Sequence, residues 1–215
     1  HAGGEEEAEA AAAVAAIRAD GGAALAFGAD FIHAGSGTRL AAEVLAAAGR
    51  VDILVLNASI EIHEDLGDIT PSAFARQVQV NLVEPLALLQ GLLPCMVRRR
   101  WGRVLAIGST QQCRPSPGKM IYGATKAAQM NWVLNLPRQV GPQGITVNNL
   151  APGVIATARN AAQVEAEGAK LIRGIPARRL GTPADVTGAA LLLCSDAGAY
   201  INGANLWVDG GRHIG

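Results

Sequence analysis

Three residues in the middle of the chain have the types and the spacing for proton transfer. Ser109 follows an apolar run, Tyr122 comes thirteen residues later, and Lys126 follows four residues after that. Residues four apart on a helix share one face, so the phenol and the ammonium are predicted to lie within one turn of each other. Because a nearby cation favours the phenolate, we expect Lys126 to lower the pKa of Tyr122 from its ordinary value near ~10. Such a pair can donate and accept a proton near neutral pH.

The composition argues against several classes of protein. The chain has 215 residues and 50% of them are hydrophobic, which is enough for a sizeable core in a single domain. Its formal net charge of zero argues against nucleic acid or an anionic membrane as a partner. It shows no apolar run of membrane-spanning length and no signal-peptide pattern. The cysteines and histidines lack the spacing of a disulfide framework or a metal site, so we expect a reducing, cytoplasmic setting and no metal.

Hydrophobic patterning predicts strands that alternate with helices. Strands are expected over residues 23–29, 51–56, 103–107, 144–150 and 204–208. Helices are expected over residues 5–20, 38–48, 71–98, 121–140 and 183–194, with a mobile or helical insert over 157–173. The strand at 51–56 is nearly continuous in apolar residues and is predicted to be buried on both faces. The helix at 71–98 is expected to bend at Pro85 and Pro94. This alternation predicts an α/β fold with a parallel sheet and helices on both of its faces.

Polar or turn-forming residues follow four of the predicted strands. They are Asp30, Asn57, Ser109 and the pair Pro152 and Gly153. In a parallel sheet of this kind, ligands bind beyond the carboxyl ends of the strands. The sequence therefore predicts one site at this edge, with the Tyr122 helix beside it.

These motifs together resemble the short-chain dehydrogenase/reductase family, and the resemblance covers essentially the whole chain. The shared features are Asn57-Ala58 after a strand, Asn81 inside the next long helix, and Ser109 thirteen residues before Tyr-x-x-x-Lys. Residues 148–153 after a strand and the closing residues 208–211 belong to the same pattern. The resemblance implies a Rossmann-like, doubly wound sheet. It also implies an oxidoreductase that transfers a hydride between NAD or NADP and a carbonyl or secondary alcohol.

The resemblance further implies a catalytic tetrad of Asn81, Ser109, Tyr122 and Lys126. In it, Ser109 positions the substrate oxygen and Tyr122 gives that oxygen its proton. Lys126 holds the cofactor ribose and lowers the pKa of Tyr122, while Asn81 supports a water that passes protons to Lys126. The residues implied to contact the cofactor are Asp30, Phe31, Asn57, Ala58, Ser59, Tyr122, Lys126, Pro152, Gly153, Val154, Ile155 and Thr157.

Two features depart from the family pattern. Ser59 replaces a glycine that lets the backbone approach the ribose, so either cofactor binding is weakened or the local turn absorbs the change. The family's first strand, glycine-rich phosphate turn, helix and second strand do not appear, so the predicted sheet is N-terminally incomplete. Gly35 and Gly37 open a helix, and we interpret them as helix-start chemistry rather than a pyrophosphate cradle.

Three explanations of this incompleteness stay open. We favour a sequence that is part of a longer protein; the others are a short protein with a rearranged sheet and no dinucleotide binding, and a partner chain that supplies the strands. Two functions follow, an NAD(P)-dependent oxidoreductase and, as the alternative, a non-catalytic, cofactor-free interaction protein. By resemblance, we expect a small-molecule carbonyl or alcohol substrate and a homodimer or homotetramer. The sequence does not choose between NAD and NADP.

Overall fold

The structure, a computed structural model, describes residues 3–214, with side chains from residue 6 onward. These residues form two compact units that divide between Asp30 and Phe31. The first unit contains helix α1 (Gly3–Ala19), which confirms the helix predicted near the N-terminus, and an extended segment after it. The strand predicted over residues 23–29 is wrong, because this segment has no β-pairing and its Leu25 is exposed. A strand needs a neighbour for its amides and carbonyls, and no described strand supplies one.

A four-stranded parallel sheet forms the centre of the second unit. Its strands lie in the order β1 (Ile53–Leu56), β2 (Gly102–Ile107), β3 (Ile145–Pro152) and β4 (Asn205–Val208). The helices of this unit are α2 (Ser36–Ala48), α3 (Pro71–Val78), α4 (Glu84–Arg99), α5 (Met120–Val140), α6 (Ala161–Arg173) and α7 (Pro183–Cys194). The α/β prediction is confirmed, and the insert predicted as mobile or helical contains α6.

Helices cover both faces of this sheet. Leu54 and Val104 point to one face and pack with side chains of α2, α4 and α5 in the main core. Leu105 and Leu150 point to the other face and pack against α7 in a smaller core. The doubly wound arrangement implied by the sequence is therefore confirmed.

The outer strand β1 is covered on one face only. Ile53 and Val55 are 44% and 47% exposed, while the residues between and after them are buried. The prediction that this strand is buried on both faces is wrong, because α7 packs on β2, β3 and β4. An apolar side of β1 is left open beside α7.

The long helix predicted from Pro71 is interrupted where it passes the site. A π-helical turn (Gln79–Val83) joins α3 to α4 and has Asn81 at its centre. The cause lies in Pro85, which has no N–H to donate to the carbonyl four residues earlier, that of Asn81. The bend predicted near Pro85 thus takes the form of a π turn, and α4 continues through Pro94 to Arg99. π turns of this kind often mark functional sites.

The stretch Pro71–Arg99 is also long and apolar enough, by length and composition alone, to cross a membrane. The expectation that the chain has no such run is therefore wrong. Leu89 and Met96 of this stretch are nevertheless fully buried in the main core, and the polar side chain of Glu84 is buried as well. Its packing is that of a core helix, which passes the same test of length and composition.

A close contact between α2 and α4 depends on a glycine. A Cβ at Gly37 would collide with the main-chain oxygen of Glu84. The amides of Gly35 and Gly37 donate to the Glu84 carboxylate at 3.0 and 2.5 Å. Glu84 therefore satisfies the free amides at the start of α2, which confirms that these glycines serve the helix start.

Replacing Gly37 by alanine is expected to lower the free energy of unfolding by about 1–3 kcal/mol, because the added methyl group forces α2 away from α4. The matched control is Gly188→Ala in α7, where a Cβ meets nothing within 4 Å. That change should be neutral or stabilising by up to about 1 kcal/mol, since alanine favours the helix. Urea denaturation of both variants checks this, and equal effects would contradict the proposed contact.

Candidate active site

Ser109 lies just beyond the carboxyl end of β2, at the start of a short 3₁₀ turn. Its amide donates to Gln112 Oε1 at 3.3 Å, and its Oγ accepts from the amide of Gln111 at 3.2 Å. These two bonds fix the position of the hydroxyl. Because a hydroxyl that accepts one hydrogen bond can still donate its own proton, Ser109 can donate to a ligand oxygen.

Lys126 is buried to an unusual degree for a lysine, with 1% of its surface exposed. Its Nζ donates to the main-chain oxygen of Ile107, the last residue of β2, at 2.7 Å, and to Gln129 Oε1 at 3.2 Å. Both acceptors are neutral, and no carboxylate among residues 6–214 pairs with it. Burial, together with the positive charge of Arg159, lowers the pKa of Lys126 to about 8.

Tyr122 lies one turn earlier on α5. Its ring centroid is 5.7 Å from Lys126 Nζ. Burial and the negative charge of Glu61 raise the pKa of Tyr122, and hydrogen bonding to Ser109 opposes them only in part. The prediction of a lowered pKa for Tyr122 is wrong for this structure, because burial of the phenol and the charge of Glu61 outweigh the groups that lower it.

Asn81 completes the group from the π turn and is fully buried. Its Oδ1 accepts from the amide of Ile60 at 2.8 Å, and its Nδ2 donates to the Ile60 carbonyl at 2.9 Å and to Thr125 Oγ1 at 3.1 Å. Its main-chain oxygen accepts from Gln129 Nε2 at 2.7 Å. Asn81 thus ties the loop after β1 to the helix that carries Lys126.

A cleft of about 650 Å³ opens on the α7 side of the sheet, at the carboxyl ends of the strands. Four of the residues predicted to contact the cofactor line it, and they are Asn57, Pro152, Ile155 and Thr157. Ala58 and Ser59 continue the loop from Asn57, and Gly153 and Val154 belong to the loop that Pro152 begins. The predicted edge site is therefore formed by the loops after β1 and β3.

Four other residues predicted to contact the cofactor lie neither on the cleft lining nor in these two loops, and they are Tyr122 and Lys126 on α5, Phe31 and Asp30. Phe31 packs against the main core rather than lining the cleft. Asp30 belongs to the first compact unit. The roles assigned to both by resemblance stay predictions.

The site has the donors that a nicotinamide and its ribose require. The ammonium of Lys126 lacks a countercharge among the described side chains, and the Thr157 hydroxyl lies on the cleft wall. The phosphate half of a dinucleotide fits less well, since the amides of Gly35 and Gly37 already bind Glu84. Lys126 and Thr157 are therefore the candidates to bind the ribose and the nicotinamide, whereas the glycine pair is not available to phosphate.

Two charged residues act on this site without forming a recognisable motif. Glu61 forms an ion pair with Lys119 at 2.7 Å, and its charge raises the pKa of Tyr122. The charge of Arg159 lowers the pKa of Lys126. Glu61 lies two positions after Ser59, and Arg159 lies two positions after Thr157. A charged residue close to a predicted cofactor loop is therefore the sequence signal by which both residues could have been found.

Comparisons of the chain with a family model, with related sequences and with solved structures all point to the same protein family. The family model described as enoyl-(acyl carrier protein) reductase matches residues 4–213. The chain is 35% identical over 166 residues to the 3-oxoacyl-[acyl-carrier-protein] reductase of Haemophilus influenzae, which covers 77% of this chain and 69% of that protein.

Two solved structures are similar over nearly the whole chain. One is a 3-oxoacyl (acyl-carrier-protein) reductase from Agrobacterium tumefaciens C58 with NADP bound, with a TM-score of 0.88 and 40% identity over 93% of this chain and 79% of that one. The other is a gluconate 5-dehydrogenase from Burkholderia cenocepacia J2315 in complex with NADP and tartrate. Its TM-score is 0.89, with 31% identity over 97% of this chain and 83% of that one.

The lowered pKa of Lys126 makes stability depend on pH. Between the folded pKa of about 8 and the ordinary value of 10.5, the unfolded chain binds more protons, so this group's contribution to stability rises with pH. Lys126→Met removes that contribution. Because Lys126→Met removes a buried charge, we expect the variant to have a higher free energy of unfolding than the natural chain below pH 8. This difference should shrink by roughly 3 kcal/mol between pH 8 and pH 10.5. Urea denaturation across this range measures it, with exposed Lys170→Met as the control; a difference independent of pH would contradict the expectation.

Proposed function

Since the chain belongs to the short-chain dehydrogenase/reductase family of NAD(P)-dependent oxidoreductases, we propose that Tyr122 is the acid and base of its reaction. The reaction transfers a hydride between NAD or NADP and a carbonyl or secondary alcohol. The observation that supports this best is the buried ammonium of Lys126, one turn from Tyr122. A buried charge without a countercharge costs several kcal/mol, and a catalytic role is a physical reason to retain it.

In the direction of reduction, Tyr122 donates its phenolic proton to the substrate oxygen. Burial and the charge of Glu61 raise the pKa of Tyr122, so the phenol carries its proton at neutral pH. The Ser109 hydroxyl donates to the same oxygen and fixes its position. When bound, the nicotinamide supplies the hydride to the carbonyl carbon. Oxidation uses the same groups in reverse.

The remaining residues hold these groups and the cofactor in place. Lys126, mostly protonated at neutral pH, binds the ribose hydroxyls. Asn81 fixes the loop after β1 against α5, so Asn57 is held at the cleft. Thr157 lies on the cleft wall where the nicotinamide carboxamide is expected. NADP is the first cofactor to test, because both solved relatives contain it.

The substrate proposed here is a small polar or anionic carbonyl compound. Beside Tyr122, the Glu61 carboxylate accepts hydrogen bonds from Lys119 and from His63, each at 2.7 Å. The guanidinium of Arg159, on the loop after β3, is exposed and adds positive charge. A charged rim of this kind suits a hydroxylated acid better than a long acyl chain. The names of the relatives include both kinds of enzyme.

We further propose a homodimer or homotetramer that works in the cytoplasm. By resemblance, the helices expected at the interface are those predicted over residues 71–98 and 121–140. The exposed apolar side chains of Phe74, Val83 and Leu134 in these stretches support self-association. Exposed apolar patches often mark surfaces that a partner covers.

Cofactor binding and the role of Tyr122 can be tested separately. NADPH and NADH titrated into the 215-residue chain should quench the fluorescence of its three tryptophans in a saturable way. Tyr122→Phe should reduce turnover at least about 100-fold, since it removes the general acid, while leaving cofactor affinity nearly unchanged. Exposed Tyr200→Phe is the control. Retained turnover in Tyr122→Phe would contradict the assigned role, and a chain with no saturable binding would favour the non-catalytic alternative.

Substrate preference follows from the charged rim. We expect kcat/KM for an oxo form of gluconate to exceed that for an acetoacetyl thioester at least about tenfold, a difference of roughly 1.4 kcal/mol in transition-state binding. Arg159→Gln should reduce this ratio because it removes the charge nearest an anionic substrate. Arg138→Gln, at the far end of α5, should leave the ratio unchanged. NADPH consumption measures all of these rates, and a preference for the thioester would contradict the proposed substrate.

A further inference from the structure

One side chain joins two members of the proposed tetrad. Gln129 lies on α5, three residues after Lys126, and is 1% exposed. Its Nε2 donates to the main-chain oxygen of Asn81 at 2.7 Å, and its Oε1 accepts from Lys126 Nζ at 3.2 Å. Both ends of the amide are therefore engaged with groups proposed to be catalytic.

The main-chain oxygen of Asn81 can accept a hydrogen bond from Gln129 because the π turn interrupts the helix at this point. In a regular α-helix this oxygen would accept from the amide of residue 85, but Pro85 has no N–H. A buried carbonyl without a partner is costly, so this position requires a donor. Gln129 supplies the donor from the neighbouring helix and links the π turn to Lys126.

The family resemblance implies a water at this junction, but the structure has a side-chain amide there. Asn81, Lys126 and Gln129 are each exposed by 1% or less. A water can accept one proton and release another, whereas a carboxamide keeps its N–H protons at neutral pH. An amide in this position can orient the lysine but does not relay its proton.

We propose that Gln129 is a positioning residue that holds the Lys126 ammonium in place and substitutes for a water between Lys126 and Asn81. This inference rests on the proposed function of Tyr122 and Lys126 and goes beyond it. Protons exchanged with Tyr122 then leave on the side of the bound ligands rather than through Asn81. The side chain also explains how a lysine without a countercharge among residues 6–214 keeps a defined position.

Lysine NMR tests the inference without cofactor or substrate. The chain has three lysines, Lys119, Lys126 and Lys170, so ¹³C-labelled lysine side chains give few signals, and Lys126→Met identifies the one of interest. The pKa of Lys126 in the natural chain should be about 8. The other ionisable or charged groups that act on this part of the site are Tyr122 on the same helix, Arg159 after β3 and Glu61 after β1.

Two substitutions should move this titration in opposite directions. Gln129→Leu removes the acceptor from Lys126, so its pKa should fall below that of the natural chain. Gln129→Glu retains an acceptor and adds a negative charge, so the pKa should rise. Gln139→Leu, the same change at an exposed position near the end of α5, should leave it unchanged. Circular dichroism checks that each variant is folded. If Gln129→Leu does not fold, a raised pKa of Lys126 in Gln129→Glu supports the inference and an unchanged pKa overturns it.

Kinetics distinguish positioning from simple packing. Gln129→Leu should lower kcat/KM roughly tenfold, as expected for losing a hydrogen bond to a charged group, with a raised KM for the cofactor. Gln129→Glu should recover much of that loss. An unchanged Lys126 titration in both variants would overturn the inference even if Tyr122→Phe abolishes turnover. Conversely, opposite shifts in the two variants would support it even if Tyr122→Phe proved active.

Discussion

The ammonium of Lys126 is buried, its hydrogen-bond acceptors among residues 6–214 are neutral oxygens, and the neighbouring elements hold it in this position. One oxygen comes from Ile107 at the end of β2 and the other from Gln129 one turn further along α5. Desolvation lowers the lysine pKa to about 8, so the charge is retained at neutral pH at an energetic cost. The end of β2, helix α5 and the π turn all contribute to holding this one charge.

The π turn shows how a local defect serves that arrangement. Pro85 removes one helical hydrogen bond, and the freed Asn81 oxygen accepts from Gln129 instead. The Asn81 side chain also holds the loop after β1 in place, because it forms hydrogen bonds with the main-chain amide and carbonyl of Ile60. A single break in a helix thus connects the π turn to α5 and to the loop after β1, and Asn57 of that loop lines the cleft.

The two halves of a dinucleotide site are represented unequally in the described residues. The half proposed to handle protons and the ribose includes the buried side chains of Asn81 and Lys126. The glycines that most resemble a phosphate turn are committed to the contact between α2 and α4, where Glu84 binds their amides. On the α7 side, the exposed Ile53 and Val55 line the same cleft as Asn57. Apolar sheet surface therefore continues directly into the site.

The sequence by itself determined the features that depend on neighbours along the chain. Alternating patterns placed the four observed strands and the helices, and the spacing of Ser109, Tyr122 and Lys126 indicated the residues proposed for the site. Features that depend on what packs across space were decided only by the tertiary structure. Within residues 3–214, the segment at 23–29 has no strand partner and Ile53 and Val55 on one face of β1 stay exposed, because strand pairing and helix cover come from residues distant in sequence. The raised pKa of Tyr122 likewise reflects burial and the charge of Glu61, and Gln129 bridges Lys126 and Asn81 because the fold brings Asn81 beside it.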